Sequence, residues 1–371
     1  MKGIILVGGE GTRLRPLTYT RPKAMVPILG RPFLEHMLVH LRRHGVADVS
    51  LALGHQPGPI LAYFGDGSRW GIRLTTVVEE QPLGSGGAIK QFEALLTEPF
   101  FAFNGDVLTD CDLVAMREAH ERAGAALTML LIHVEDPSSF GVATLDEHQR
   151  IRGFVEKPAR EQAPSHWANA GIWLFRPDVL QRIPAGRRSM VEIELFPELI
   201  DSGESVHGYC ERGFWVDIGV PERYLAAQLE LLEQPRLRLL PLGTWPGTPF
   251  LSADERPAAG RSPSVDAGAI LTGPVLLGDD VRIESGARIT GPAVIGAGSH
   301  IGRGCCIERS VLWESCRLEH GSEVGESVLA DGVQLAPSAL LRRVIAGSAA
   351  RFAAGCKVAD QRVDPATIHT E

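Results

Sequence analysis

Asparagine and lysine are scarce in this 371-residue chain: Asn104 and Asn169 are the only asparagines, and five lysines stand against 32 arginines. Either residue inside a motif is therefore hard to read as filler. No apolar run approaches the 18 residues of a membrane span, and the opening apolar run is too short for a signal peptide. The expectation is a cytoplasmic chain with no membrane partner. The formal net charge of −8 lacks the basic excess that nucleic-acid binding needs, so no nucleic acid is expected. Six cysteines, at 111, 210, 305, 306, 316 and 356, never show CxxC spacing. They read as reduced thiols of the core rather than a disulfide frame or a zinc site. With 44% hydrophobic and 22% charged residues, what remains is an ordinary globular composition, long enough for two or three domains.

The chain opens MKGIILVGGEGTRLRPLT. Ile4 to Val7 form a continuous apolar run, as a strand buried on both faces does. It leads into Gly8, Gly9 and Gly11, which let backbone N–H groups approach a ligand closely, as phosphate-cradling loops do. Arg13 and Arg15 add charge. The P-loop pattern fails because Thr12 and Arg13 follow the last glycine in place of Lys and Ser or Thr. The dinucleotide fingerprint read from Gly9 fails at Leu14. A glycine loop that merely turns, with solvated arginines, is the alternative.

From residue 1 to about 230, strands and helices alternate, as in a doubly wound α/β layer. Strands are expected at Gly3 to Val7, Val49 to Leu53, Leu74 to Val78, Phe100 to Phe103 and Leu127 to Val134. Helices are expected from Pro32 to about Gly45, from Gly87 to Leu96, from Leu113 to Arg122 and from Tyr224 to Glu233. FGVATLDEHQRIRGFVEKP alternates like a hairpin and NAGIWLF like a further strand. The Pro- and Gly-rich stretch 234–263 reads as a linker between a first domain, 1–233, and a last one, 264–371. In the last, every sixth residue from Val265 is apolar: Leu271, Leu277, Ile283, Ile289, Ile295, Ile301 and Ile307. The phase slips by one to Leu312, Leu318 and Val324, and again to Leu329, Leu335 and Leu341. A six-residue period with small residues at the corners is the mark of a parallel β-helix of three-hexad coils; an antiparallel domain with regular turns is the competing reading.

Several residues can carry chemistry. Lys23, in RPKAM, stands on chain stiffened by Pro22 and Pro27. FFAFNGD ends a strand at Asp106, at the carboxyl edge where open α/β sheets bind ligands, although an Asx turn reads equally there. Glu156 and Lys157 adjoin in FVEKP, Asn169 opens NAGIWLF, and Asp217 lies between aromatic residues and glycine in GFWVDIG. Isolated carboxylates, cations and a glycine loop describe a site for a polyphosphate, a divalent metal and a phosphorylated second substrate.

In order, LVGGEGTRLRPLT, RPKAM, LGSGGA, FNGD, FGVA, FVEKP, NAGIWLF and GFWVDIG resemble the nucleotidyltransferases that make nucleotide sugars, most closely the mannose-1-phosphate guanylyltransferases. The motifs span residues 3 to about 225, and the hexads match the left-handed β-helix that follows the catalytic domain in many of these enzymes. The resemblance implies an α/β, Rossmann-like domain with a mixed, mainly parallel sheet. It assigns the Gly8 to Thr12 loop, with Gly8, Gly9, Gly11 and Thr12, to the nucleotide phosphates. Arg13 and Lys23 fall to the departing pyrophosphate, and Gln81 and Gly84 to the base. Gly141, Glu156 and Asn169 fall to the sugar, Lys157 to its phosphate, and Asp106 and Asp217 to Mg²⁺. The implied reaction joins a nucleoside triphosphate, GTP in this branch, to a sugar-1-phosphate, mannose-1-phosphate in this branch, and releases pyrophosphate. Ala24 where the family usually has Pro, and LGSGG where it has LGTAG, remove no functional group. The second departure leaves base preference open, with thymidylyl or uridylyl transfer to glucose-1-phosphate as the alternative.

Two readings of other classes compete. A non-catalytic regulatory relative would have lost its site, yet Arg13, Lys23, Asp106, Lys157 and Asp217 are all present. An acyltransferase built on the β-helix would need a basic histidine in a cleft, with His300 or His320 the candidates, but no long inserted loop supplies one. The β-helix is expected to be an assembly and stability element through which the chain forms a homo-oligomer.

Overall fold

In the computed structural model the structure describes residues 1–234, 250–251 and 263–370. Two compact units emerge, Met1–Glu10 with Met37–Val216 and Gly11–His36 with Asp217–Glu371. Of the expected linker 234–263, all but Gln234, Phe250–Leu251 and Pro263 lies outside the described residues.

The first unit is built on one mixed sheet. Four parallel strands, Phe100–Asn104, Lys2–Val7, Asp48–Leu53 and Arg73–Val78, lie side by side in that order. Ile4 and Ile5 are fully buried, which is why this stretch reads as a run and not as an alternation. The long strand Trp167–Phe175 joins antiparallel to Phe100–Asn104 and carries the hairpin Gly141–Leu145 and Ile151–Glu156 on one side. Leu127–His133 also pairs with it and is flanked in parallel by Val206–Glu211. The five expected strands, the hairpin and NAGIWLF are all found.

Helices depart more from the sequence reading. Leu113–Ala123 is as expected: the Asp112 carboxylate accepts from the N–H groups of Val114 and Ala115, and Gly124, at φ 54°, ends it. The second helix is Gly84–Lys90, three residues earlier than expected, because the Ser189 carbonyl accepts from the N–H groups of Gly86 (2.9 Å) and Gly87 (3.3 Å) and so caps an earlier start. Pro57–Phe64 is a helix the sequence reading passed over.

In the second unit, Pro27–Ile28 and Arg31–Pro32 pair across Leu29 and Gly30, both at positive φ. Pro32 therefore ends a strand, and the helix begins after it at Phe33. Helix Pro221–Glu233 starts at a proline, which has no N–H to leave unsatisfied.

The rest of this unit is a left-handed parallel β-helix with three sheets, in which equivalent strands of successive coils pair in parallel. One column reads Leu277, Ile295, Leu312, Leu329, Ala346, Val363; a second reads Leu271, Ile289, Ile307, Val324, Leu341, Val358. The hexad positions thus point inward and stack. The phase slip recurs at one corner. Early coils turn there through Gly273–Pro274 and Gly291–Pro292, whereas later ones turn on the single residues Arg309, Glu326, Arg343 and Asp360, all at φ between 44° and 56°. One corner residue fewer shortens the coil from 18 to 17 residues. His300 Nε2–H donates to the Glu284 carboxylate on the preceding coil at 2.8 Å.

Candidate functional site

In the first unit the parallel strands end at a common edge, and glycines let the following loops crowd there. A β-carbon at Gly54 would fall 2.5 Å from the Gly8 carbonyl oxygen, and one at Gly105 would fall 2.4 Å from that of Leu6. Gly8 and Gly9 leave the first strand here. The Glu79 carboxylate lies nearby, 3.5 Å from where a β-carbon on Gly8 would sit, and accepts from Leu83 N–H; burial pushes its pKa up. Gln81 is exposed in the same loop, and Gly84, at φ 71°, opens the helix against the Ser189 carbonyl. Asp106 follows the strand Phe100–Asn104 and is half-buried.

The residues expected at the sugar form a second group. Glu156 ends its strand opposite Gly141, and a β-carbon on Gly141 would lie 2.6 Å from the Glu156 carboxylate and 2.3 Å from the Phe154 ring. Only glycine fits that position. Lys157 follows at φ 47°, its N–H donating to Phe140 O and its ammonium 3.3 Å from Glu156. A non-glycine residue held in the left-handed region costs about 1–3 kcal/mol and clusters at functional positions. Asn169 sits where the ladder with Leu127–His133 is interrupted. Its Oδ1 accepts from Gly171 N–H (3.0 Å) and Trp173 Nε1–H (2.9 Å), which fixes the amide so that Nδ2–H is what it offers a ligand. A β-carbon on Gly171 would lie 2.8 Å from the Asn104 amide, so Asn169 and the Asn104–Asp106 turn share one packed neighbourhood.

In the second unit, Gly11 at φ 64° turns against Lys23 and Thr18, and Thr18 Oγ1–H donates to Gly11 O at 2.8 Å. Thr12–Leu14 form a 3₁₀ turn anchored by the fully buried Leu14, leaving Thr12 and Arg13 exposed. Lys23 begins a second 3₁₀ turn after Pro22. Its ammonium is 3.9 Å from one Asp217 oxygen, and Arg223 is 3.5 Å from the other. A β-carbon on Gly219 would contact both Asp217 (2.8 Å) and the Arg13 guanidinium (3.2 Å). Arg13, Lys23, Asp217 and Arg223 therefore surround one small region, a cationic cluster around a single carboxylate and suited to a polyanion.

Residues 2–234 match the Nucleotidyl transferase family. The chain belongs to that family. Residues 271–368 of this nucleotidyl transferase match the GMPPB C-terminal domain. It is 34% identical over 320 residues to the mannose-1-phosphate guanylyltransferase of Mycobacterium tuberculosis, covering 86% of this chain and 81% of that one. It is 33% identical over 347 residues to the UTP–glucose-1-phosphate uridylyltransferase of a Synechocystis strain, covering 89% and 87%. Among solved structures it resembles HddC from Yersinia pseudotuberculosis, with TM-score 0.55 and 25% identity over 62% of this chain and 99% of that one. No described helix is long and apolar enough to cross a membrane.

Two polar residues of this transferase escaped the sequence reading. Arg223 looks like the exposed face of a helix until its approach to Asp217 is seen. Glu192 lies in the π-helical turn Val191–Leu195, a geometry frequent at functional sites. Its Oε2 accepts from Ser85 Oγ–H at 2.7 Å. Burial raises its pKa, with the Glu156 charge raising it further and Lys157 opposing. Alternation in V-E-I-E-L disguised it as the outer face of a strand. Among the described residues no three His, Cys, Asp or Glu side chains gather as a metal cage. Mg²⁺ needs no such cage, since one or two carboxylates with substrate phosphates suffice. Asp106 in the first unit and Asp217 in the second each carry hard carboxylate oxygens of the kind Mg²⁺ takes.

Proposed function

We propose that the chain transfers a guanylyl group from GTP to mannose-1-phosphate, forming GDP-mannose and releasing pyrophosphate. The observation that carries this reading is the similarity to a mannose-1-phosphate guanylyltransferase over 86% of the chain. That similarity is longer than the first domain and reaches into the β-helix, and the cationic cluster of Arg13, Lys23 and Arg223 at Asp217 supports the reading. The nearly equal likeness to a uridylyltransferase favours uridylyl transfer to glucose-1-phosphate as the second reading.

In this reading a phosphate oxygen of mannose-1-phosphate attacks the α-phosphorus of GTP in line with the bond to the leaving β-phosphate. Gly8, Gly9, Gly11 and Thr12 present backbone N–H groups to the triphosphate. Arg13 and Lys23 offset charge as it accumulates on pyrophosphate. Gln81 and Gly84 meet the base. Lys157 holds the sugar phosphate, while Gly141, Glu156 and Asn169 take the sugar hydroxyls, with Asn169 donating from Nδ2–H. Mg²⁺ held by Asp106 and Asp217 would neutralise phosphate charge. The work is positioning and electrostatics, so no side chain need become covalently attached. Catalysis falls to residues 1–233 and assembly to 264–371, joined by 234–263.

We further assign the protein to the cytoplasm and expect a homo-oligomer formed through the β-helix. Ile270 at 58% exposure and Ile368 at 65% lie on the outer flank of the first and last coils, beside Arg288 and Arg351, and a second copy would cover one of them. Sedimentation of the full chain checks this.

The decisive experiment is a matrix of four nucleoside triphosphates against several sugar-1-phosphates with Mg²⁺, read by pyrophosphate release. GTP with mannose-1-phosphate should give the highest kcat/KM. A preference for UTP with glucose-1-phosphate would install the second reading, and no release with any pair would leave a non-catalytic relative.

A further inference from the structure

The segment Gly11–His36 carries Arg13 and Lys23 but has little structure of its own: two 3₁₀ turns and a pair of two-residue strands. Such a segment has few internal ladder bonds with which to hold two cations in place. It packs in one compact unit with the β-helix, and the β-helix supplies what it lacks.

Two successive coils reach it at equivalent positions, Asp331 and Ser348, and the coil before them reaches it through Trp313, next to the equivalent Glu314. Glu314, Asp331 and Ser348 are spaced by 17 residues, one coil each. Asp331 forms an ion pair with Arg21, both less than a third exposed, and Ser348 Oγ lies 3.0 Å from Thr20 Oγ1. Beside Glu314, the indole of Trp313 lies under the Arg21 guanidinium, 4.7 Å from it. Trp313 Nε1–H donates to the Tyr224 hydroxyl at 2.8 Å, and that hydroxyl donates to Pro27 O at 2.6 Å. Gln228 Oε1 accepts from Leu29 N–H at 2.9 Å. From the last coils, Arg362 bonds Glu222 at 2.8 Å and approaches Arg13 O at 3.4 Å. Only Pro22, with its ring-fixed φ of −64°, separates Arg21 from Lys23. Fixing the Arg21 head therefore sets the course of the backbone that aims Lys23.

We propose that the β-helix is a positioning element for nucleotidyl transfer, in which Asp331 and Trp313 clamp Arg21 and so hold the segment bearing Arg13 and Lys23 against the triphosphate. This goes beyond assembly and rests on the reading given under the proposed function. Asp331, Trp313 and Arg21 are positioning residues that touch no substrate themselves.

The test is steady-state kinetics of the full chain with each substrate varied in turn, together with amide hydrogen exchange. Asp331→Ala should lower kcat/KM for the nucleoside triphosphate about tenfold, the low end of what loss of a charge-assisted bond produces. The KM for sugar-1-phosphate should stay within about twofold. Exchange should quicken across residues 12–25 and stay unchanged across the coils before Trp313. Adding Arg21→Ala to Asp331→Ala should cost nothing further if the pair acts as one unit. Asp360→Ala, which breaks a more exposed ion pair with Arg343 on the same β-helix, should leave every kinetic parameter alone. Should Asp331→Ala fail to fold, Trp313→Phe keeps a smaller aromatic face under Arg21, loses the N–H to Tyr224, and must show the same selectivity. Unchanged nucleotide kinetics in a folded variant, or equal losses for both substrates with a lowered melting point, would overturn the proposal. A wild-type chain that transfers no nucleotide would instead overturn the function it rests on.

Discussion

Gly171→Ala perturbs the strand Trp167–Phe175 and the Asp106 turn at once, and its cost follows from two features of its surroundings. The residue sits at φ 73°, where an L side chain costs ~1–2 kcal/mol. Its new methyl would also lie 2.8 Å from the Asn104 amide nitrogen and 3.1 Å from the Asn104 β-carbon, an overpacking of ~1–3 kcal/mol. Together these give about 3 kcal/mol, or a melting point lower by about 6–12 °C for a unit of this size. Gly186→Ala isolates the first cost: φ is 71° there, but nothing lies within 4 Å of the added carbon. It should lower the melting point by about 2–8 °C, less than Gly171→Ala does. Displacing Asn104 also shifts the turn that carries Asp106, so Gly171→Ala should lose at least about tenfold in kcat, while Gly186→Ala keeps normal turnover. Calorimetry and pyrophosphate release on the two variants decide it. If Gly171→Ala melts no lower than Gly186→Ala, Asn104 yields freely and the inference that these turns are packed as one is wrong.

Acid should weaken the fold through His36, whose pKa burial lowers to about 4 and whose Nε2–H donates to Ile28 O. Because the folded value lies below the unfolded one of 6.5, the penalty is absent above pH 6.5 and grows as pH falls towards 4; it should reach about 2 kcal/mol at pH 5, measured by urea midpoints against His36→Gln. Asp106→Asn and Asp217→Asn should each abolish most turnover without lowering the melting point much; near-normal activity at limiting Mg²⁺ in either would contradict the metal assignment. Lys157→Ala should raise the KM for sugar-1-phosphate more than that for nucleotide, whereas Arg13→Ala should mainly reduce kcat, by about 100-fold or more. The reverse pattern in initial-rate kinetics would exchange their roles.

The elements legible in the sequence are those whose burial is periodic. Ile4 to Val7 could be read because a central parallel strand is apolar throughout, and the hexads because every inward position of a coil repeats. Even the phase slip was visible, though not its cause, a corner turned by one residue such as Arg309 in place of Gly291–Pro292. What escaped depends on partners remote in sequence. Gly84 begins a helix only because the Ser189 carbonyl caps it, and Glu192 becomes buried only when Ser85 and Glu156 arrive from two other elements. Likewise nothing local in TRPKAM reveals that Arg21 answers to Asp331, 310 residues later.

The coil that loses a residue at its corner has a consequence for how this chain can change length. From Ile307 onward each turn of the β-helix is a 17-residue module whose apolar column and corner recur in register. Excising one whole module keeps every inward position inward, whereas removing one residue elsewhere in a coil turns a column from core to solvent. Yet the modules are not interchangeable, because coils advance by about 4.8 Å and the rungs facing Thr20 and Arg21 are occupied by Ser348 and Asp331. Losing one of the 18-residue coils upstream of these rungs, before Ile307, would slide Ser348 to where Arg21 meets a carboxylate. The stack is thus a ruler graduated in coils, and its zero is set by Thr20 and Arg21.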